Sequence, residues 1–275
     1  MYGGYYSSVG GMVTQFNRLD TISNNIANAN TTGFKRDDVV IGDFLRIYQE
    51  KRDELPLENH TKEAAQFVNR SIDRVPQIVE QYTDFQAGGF EKTDNNLDMA
   101  LKQNNRFFAV LTPAGVRYTR DGAFNLDDQG RLVTKDGFPV LPREYFENGQ
   151  FIELPQNQNI SFDQNGNIYA KGLDLGDIDS AVVGNVGIFG FENVDYLKKE
   201  GSNFYKALRE DDRITYEESG SLLHGFLEKS NINLVKEMTS LIEANRLVEY
   251  YSKAMKTQQD DLNSAAINKL GNVKG

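Results

Sequence analysis

Residues 5–26, YYSSVGGMVTQFNRLDTISNNI, set Tyr5, Val9, Met12, Phe16, Leu19, Ser23 and Ile26 at alternating spacings of four and three. That is the rhythm of a heptad seam, in which one stripe of a helix seeks a partner helix. The same rhythm returns at the other end of the chain through Leu234, Met238, Leu241, Asn245, Val248, Ser252, Met255, Gln259, Leu262 and Ala266. Two such stripes, far apart in sequence, can pair with each other or with neighbouring molecules. An assembly component is indicated before an enzyme.

The first helix is predicted over about residues 7–28. Gly3, Gly4, Gly10 and Gly11 weaken the turns at its start, and Asn24, Asn25, Asn28 and Asn30 crowd its end. Gly33 then offers the left-handed backbone that stops a helix. The last helix is predicted to begin among Ser230, Asn231 and Asn233, all N-cap residue types, and to stop near Gly271. At about 38 residues it is roughly 57 Å long, more than a compact domain of this size buries by itself. Asn245, Ser252 and Gln259 interrupt its seam at seven-residue intervals. Polar residues there lower stability but restrict register and partner number.

Between the helices the rhythm changes. The stretch FKRDDVVIGDFLRIYQEKRDELPLENH, residues 34–60, is mixed and highly charged, with a short strand at 39–41 and a break at Pro56. Residues 31–69 therefore read as an extended connecting segment. From Arg70 onward the signals are strand-like, in short β-prone runs at 107–111 (FFAVL), 117–119, 131–134, 168–170 and 186–191. Asp121-Gly122, Asp136-Gly137 and Asn165-Gly166 punctuate them as turns. An internal echo runs at a spacing of 36: Phe124, Leu126, Asp127, Gly130, Leu132 and Lys135 are matched by Ile160, Phe162, Asp163, Gly166, Ile168 and Lys171. Two similar hairpins follow, each with an Asp opening the turn and a Gly supplying positive φ.

The totals bound the function. A chain of 275 residues holds one or two domains. Mean hydropathy is −0.55 and there is no Trp, so the core of a single chain is modest. The formal charge of −10 is unevenly placed. Residues 1–30 carry only Arg18 and Asp20, and residues 228–275 sum to +1, which leaves −11 on residues 31–227. No basic face exists to neutralise phosphates, so nucleic-acid binding is excluded. No run approaches the roughly 18 apolar residues of a membrane span. With no cysteine there is no thiolate nucleophile, disulfide or Cys-based metal site. The N-terminus lacks the basic segment, apolar run and small-residue cleavage site of a secretory signal. The expectation is a chain that is cytoplasmic or exported without cleavage.

Candidate chemistry fades on inspection. His60 and His224, the only histidines, lie far apart in polar or turn-like surroundings. Asp163-Gln-Asn165-Gly166-Asn167 imitates the opening of a calcium loop, but its glycine stands fourth instead of sixth, so a hairpin turn fits better. Asp174, Asp177 and Asp179 read as a solvated acidic loop. Gly184, Gly187 and Gly190 precede no helix that would face a dinucleotide. No G-x-S-x-G elbow is present. Nothing among the 40 acidic residues singles out a catalytic pair.

Three stretches are recognisable. LDTISNNIANANTTGFKR at 19–36 closely resembles the signature of bacterial flagellar rod and hook proteins. TDNNLDMAL at 93–101, FFAV at 107–110 and YTRDGAF at 118–124 form a second match, and LEKSNINLVKEM at 227–238 a third, in family order. Within the family, TPAGVRY at 112–118 and GFPVL at 137–141 look most like the proximal-rod branch, while the N-terminal signature suits the distal-rod branch equally. Two departures stand out: Gln103, Asn104, Asn105 and Arg106 replace the usual glycines before the paired phenylalanines, and Val248 precedes Glu249 where an aromatic is common.

The resemblance implies an α+β fold whose long terminal helices form a coiled-coil-like inner layer, with a β-rich central domain of short strands and hairpins facing outward. The expected organisation is a discontinuous helical assembly domain of residues 1–30 and 228–275, the connecting segment 31–69, and a β-rich domain at 70–227. It implies a structural rod subunit of the flagellar basal body, periplasmic, exported by the flagellar export apparatus without a cleaved signal. Its partners would be copies of itself and other rod and hook proteins, and it needs no cofactor. The expected assembly contacts are Met12, Phe16, Leu19, Ile22 and Ile26 with Leu234, Met238, Leu241, Val248 and Met255; Asn30 and Gly33 would shape the exit from the first helix. The alternative is a secreted β-domain binding module carried on a helical stalk, with an enzyme weaker still.

Overall fold

In the computed structural model the described residues are 2–43, 76–154, 159–171, 181–201, 203–216 and 220–271. Most of the expected connecting segment, His60 and the acidic loop of Asp174, Asp177 and Asp179 lie outside them. The architecture is α+β, with a helix at each end and a β-rich middle. The chain divides into two compact units. One gathers Met1–Ala27, Asp37–Tyr82 and Asn233–Gly275; the other gathers Asn28–Arg36 and Thr83–Ile232.

The helical unit holds the N-terminal helix Tyr2–Ala27, the C-terminal helix Leu234–Gly271, and most of a two-stranded ribbon, Arg36–Asp43 with Pro76–Asp84. The N-terminal helix starts five residues earlier than its glycines suggest, because two of them are packing surfaces. A Cβ on Gly4 would press on Gln258, and one on Gly11 on the ring of Tyr251. Asn25 meets Glu237 further along. One heptad separates Gly4 from Gly11 and two separate Gly11 from Asn25, while the partners step back from Gln258 to Tyr251 to Glu237 by the same amounts. The helices are therefore antiparallel and pass one another without a slip. Asn233 caps the C-terminal helix, its Oδ1 accepting from Lys236 N at 3.1 Å.

The line of contact corrects the expected coiled-coil seam. Residues Gly4, Ser8, Gly11, Gln15, Ile22 and Asn25 follow the same four-and-three rhythm, but one residue behind the apolar stripe. All of them except Gly4 are buried. Opposite them stand Glu237, Tyr251 and Gln258, with buried Ala244 in the same seven-residue register. Gly4 and Gly11 leave room on this line for the large side chains of Gln258 and Tyr251 from the partner helix. The bulky stripe is thereby displaced to the flank, where Met12, Leu19 and Ile26 are half-buried and Phe16 remains 48% exposed.

The β-rich unit is built around a six-stranded antiparallel sheet in the order Leu197–Lys199, Phe204–Ala207, Gly115–Thr119, Arg106–Thr112, Ile188–Phe191, Arg213–Thr215. The run FFAVL shows no polar alternation, which requires burial on both faces. Its strand is central and meets that requirement. Phe108 and Val110 enter an aliphatic-rich core with Met99, Leu132, Ile168 and Ile188, while Phe107 and Ala109 enter a second core on the other face. That second core is largely aromatic, with Phe107 edge-on to Phe85, Phe191 and Tyr205 at centroid distances of 5.5–5.9 Å. Edge-to-face rings satisfy their quadrupoles as well as burying area.

The internal echo is a structural repeat. Phe124–Leu126 pairs with Leu132–Thr134, and Asn159–Phe162 with Asn167–Lys171, with Leu126 opposite Leu132 and Phe162 opposite Ile168. In each turn the Asp Oδ1 accepts two backbone N–H groups, from Gln129 and Arg131 to Asp127 and from Asn165 and Asn167 to Asp163. In each, the glycine has positive φ and its carbonyl accepts a bond of 2.8 Å from a later segment, Leu154 N at Gly130 and Val186 N at Gly166. The second Asp163 oxygen accepts from Asn167 Nδ2 and Tyr169 OH, so this carboxylate is committed to the turn. Burial opposes its ionisation, but these four bonds outweigh burial and hold its pKa below the usual carboxylate value. His224 is likewise structural, its Nε2 2.8 Å from Asn96 O and its ring against Phe162.

Candidate assembly site

The expected contact residues divide by exposure. Ile22 is buried in the helix pair, and Leu241, Val248 and Met255 are half-buried. Leu234 is exposed and Met238 is 50% exposed. Tyr6 and Val13 on the N-terminal helix and Val235, Ile242 and Tyr250 on the C-terminal helix are exposed as well. Large apolar side chains left exposed in such number on paired helices are what a surface for another protein requires.

Asn30 is exposed in the turn that leaves the first helix. Gly33 has a wider role than ending that helix. Its φ is +66°, and a Cβ there would overlap the backbone of Arg120 and Asp121. Gly33 N also donates to Glu228 O at 2.7 Å. Beside it Thr32 Oγ1 donates to Asp121 Oδ1 at 2.7 Å, and Asn203 Nδ2 donates to Thr32 O at 2.8 Å. Burial raises the Asp121 pKa, against the bonds from Thr32 and Ala123.

Behind this contact lies a buried ion cluster that periodicity does not reveal. Glu228 Oε1 accepts from Lys35 Nζ at 2.7 Å, and Glu228 Oε2 accepts from Arg120 Nε at 2.8 Å. None of the three side chains has exposed surface. Lys35 also donates to Gln86 O, and Arg120 to the carbonyls of Leu101, Gln103 and Arg106. Gly88 N adds a bond to Glu228 Oε1. Desolvation lowers the Lys35 pKa to about 8, despite the attraction of Glu228, and Arg120 pushes it the same way. Desolvation also lowers that of Arg120.

Two asparagines act as backbone clasps. In the helical unit, Asn25 pairs with both backbone groups of Asp37, donating from Nδ2 to its carbonyl at 2.8 Å and accepting its N–H at 3.0 Å. In the β-rich unit, Asn231 accepts from Arg36 N at 2.8 Å and donates to Asp84 O at 2.8 Å. The available signal for these residues was local. Each lies in a recognised stretch, and each charge follows directly on Phe34, Thr119 or Leu227. Their mutual pairing spans up to 193 residues and has no period to betray it.

Three family models match the chain: flagella basal body rod protein at residues 6–35, flagellar hook protein FlgE/F/G D1 domain at 103–170, and flagellar basal body rod FlgEFG protein C-terminal at 223–268. Lys35, Arg120 and Glu228 fall one in each. Among curated relatives, flagellar basal-body rod protein FlgG of Borreliella burgdorferi is 32% identical over 267 residues, covering 94% of this chain and 96% of its own. FlgG of Bacillus subtilis is 31% identical, covering 94% and 95%, and FlgF of Mesorhizobium japonicum is 28% identical, covering 98% and 99%. The chain belongs to the flagellar basal-body rod protein family, a family of structural proteins of the motility organelle and not of enzymes.

Proposed function

We propose that this chain is a subunit of the periplasmic drive shaft, polymerising through its terminal helices and transmitting torque toward the hook. The carrying observation is the helix pair, which closes along a line one residue off the apolar stripe and leaves Phe16, Val235, Met238 and Tyr250 exposed. Those side chains, with Met12, Leu19, Ile26, Leu234, Leu241, Val248 and Met255 beside them, are the contacts offered to copies of the same chain and to other rod and hook proteins. Delivery is by the flagellar export apparatus, without removal of a signal peptide. The phrases at 112–118 and 137–141 favour a proximal over a distal place in the rod.

Two measurements test this reading. Phe16→Asp in the full chain puts a charge on the exposed flank, where the monomer tolerates it within about 0.5 kcal/mol, while incorporation into basal bodies and motility are lost. Normal incorporation overturns the contact assignment. Electron microscopy of basal bodies from a deletion strain settles the place: rods that stop at the proximal segment or before it support the proposal, and rods lacking only the distal segment refute the proximal assignment.

A further inference from the structure

The ion cluster of the β-rich unit contains two cations and one carboxylate, all without exposed surface. Its members come from the two extremes and the middle of that unit's sequence. The carbonyls that receive Arg120 belong to residues 101–106, those of Gln103 and Arg106 beside the hairpin of Arg106–Thr112 and Gly115–Thr119, that of Leu101 on a strand that pairs with Leu222–His224. Every strand of the six-stranded sheet precedes residue 216. The counter-charge arrives last, on strand Phe226–Glu228, which pairs with Phe90–Lys92.

We propose that Glu228 makes closure of the β-rich unit conditional on the arrival of its C-terminal strand. Until Glu228 is seated, the unit can close around Arg120 and Lys35 only by burying two cations without their shared carboxylate. A buried charge left without its partner opposes closure by an amount comparable with the whole stability of a domain. Seating Glu228 neutralises one cation, hydrogen-bonds both, and brings the 226–228 backbone to Gly33 N. Lys35 is fixed by the same event, so the first and last segments of the unit lock together. The cluster is thus a completion clasp: the sheet is held open in an unfinished chain and closes cooperatively in a finished one.

Hydrogen exchange on the full chain tests this. In Glu228→Gln, amides of the central strands Arg106–Thr112 and Ile188–Phe191 should exchange about a hundredfold faster or more, corresponding to global opening of the unit. Adding Lys35→Met to that variant removes one uncompensated cation and should restore at least about tenfold of the protection. If Glu228→Gln does not fold, the double variant should still recover folded protein. Faster exchange confined to residues 33–36, 86–88 and 226–231 would show a local fastening and overturn the proposal. So would a double variant no better protected, or no more soluble, than Glu228→Gln alone.

Discussion

The two units solve opposite packing problems. In the β-rich unit the largest side chains, Arg120, Tyr205, Lys35 and several phenylalanines, are fully buried, and even charges are satisfied internally. In the helical unit glycines, amides and a carboxylate share the inner line with Ile22, Ala244 and Tyr251, while Tyr6, Phe16, Val235 and Tyr250 are exposed. A unit whose apolar surface is inside is complete as a single chain. One whose apolar surface is outside has been shaped for neighbours, and its inner seam need only hold the pair in register.

That contrast breaks most readily at Arg120. Arg120→Met preserves much of the volume but strips the donors from three backbone carbonyls and one side of Glu228. Removing one partner of a buried charged network costs about 3–5 kcal/mol. A urea titration followed by tyrosine and near-ultraviolet signals of the β-rich unit should show that loss. An unchanged midpoint would mean the cluster contributes nothing to the unit's stability.

Lys35 sharpens the contrast through pH. Its amine holds its proton to about pH 8 in the fold, against a usual 10.5. Below pH 8 both folded and unfolded chains carry the proton, and the cost of burying it is fully present. Between pH 8 and 10.5 the unfolded chain binds more protons than the folded one, so stability rises with pH. The rise attributable to this group is on the order of 3 kcal/mol at most. Lys35→Met should remove it, flattening the pH dependence of the unfolding midpoint relative to the unsubstituted chain across that window. Identical slopes in the two proteins would contradict the depressed value.

Much of this was legible beforehand, for identifiable reasons. The two terminal helices announced themselves by period, FFAVL announced a strand by its β-prone residues though not its burial on both faces, and the echo at 36 residues announced the paired Asp–Gly turns. The seam was misplaced by one residue because a period locates a stripe but not its occupant. Bulk singles out Phe16 and Met238, whereas the buried line runs through Gly11, Ile22 and Ala244. The ion cluster stayed hidden because a lysine, an arginine and a glutamate in three separate stretches each look like ordinary surface charge. Only the fold brings them within 2.8 Å.

Two glycines, Gly11 within the first helix and Gly33 beyond its end, differ in a way that measures the same contrast. At Gly33 an added Cβ meets the Arg120–Asp121 backbone, which cannot step aside, and its φ of +66° is itself strained for any L side chain. Gly33→Ala should cost about 2–4 kcal/mol. At Gly11 the obstacle is the outer edge of the Tyr251 ring, a side chain on a half-buried helix face that can swing toward solvent. There the gain in helix propensity, about 1 kcal/mol for Ala over Gly, offsets the displacement, and Gly11→Ala should lie within about 1 kcal/mol of the parent in thermal melts of the helical signal. Equal losses at both positions would mean that the helix pair is as tightly determined as the β-rich unit. The outward apolar flank would then be an accident of packing and not its purpose.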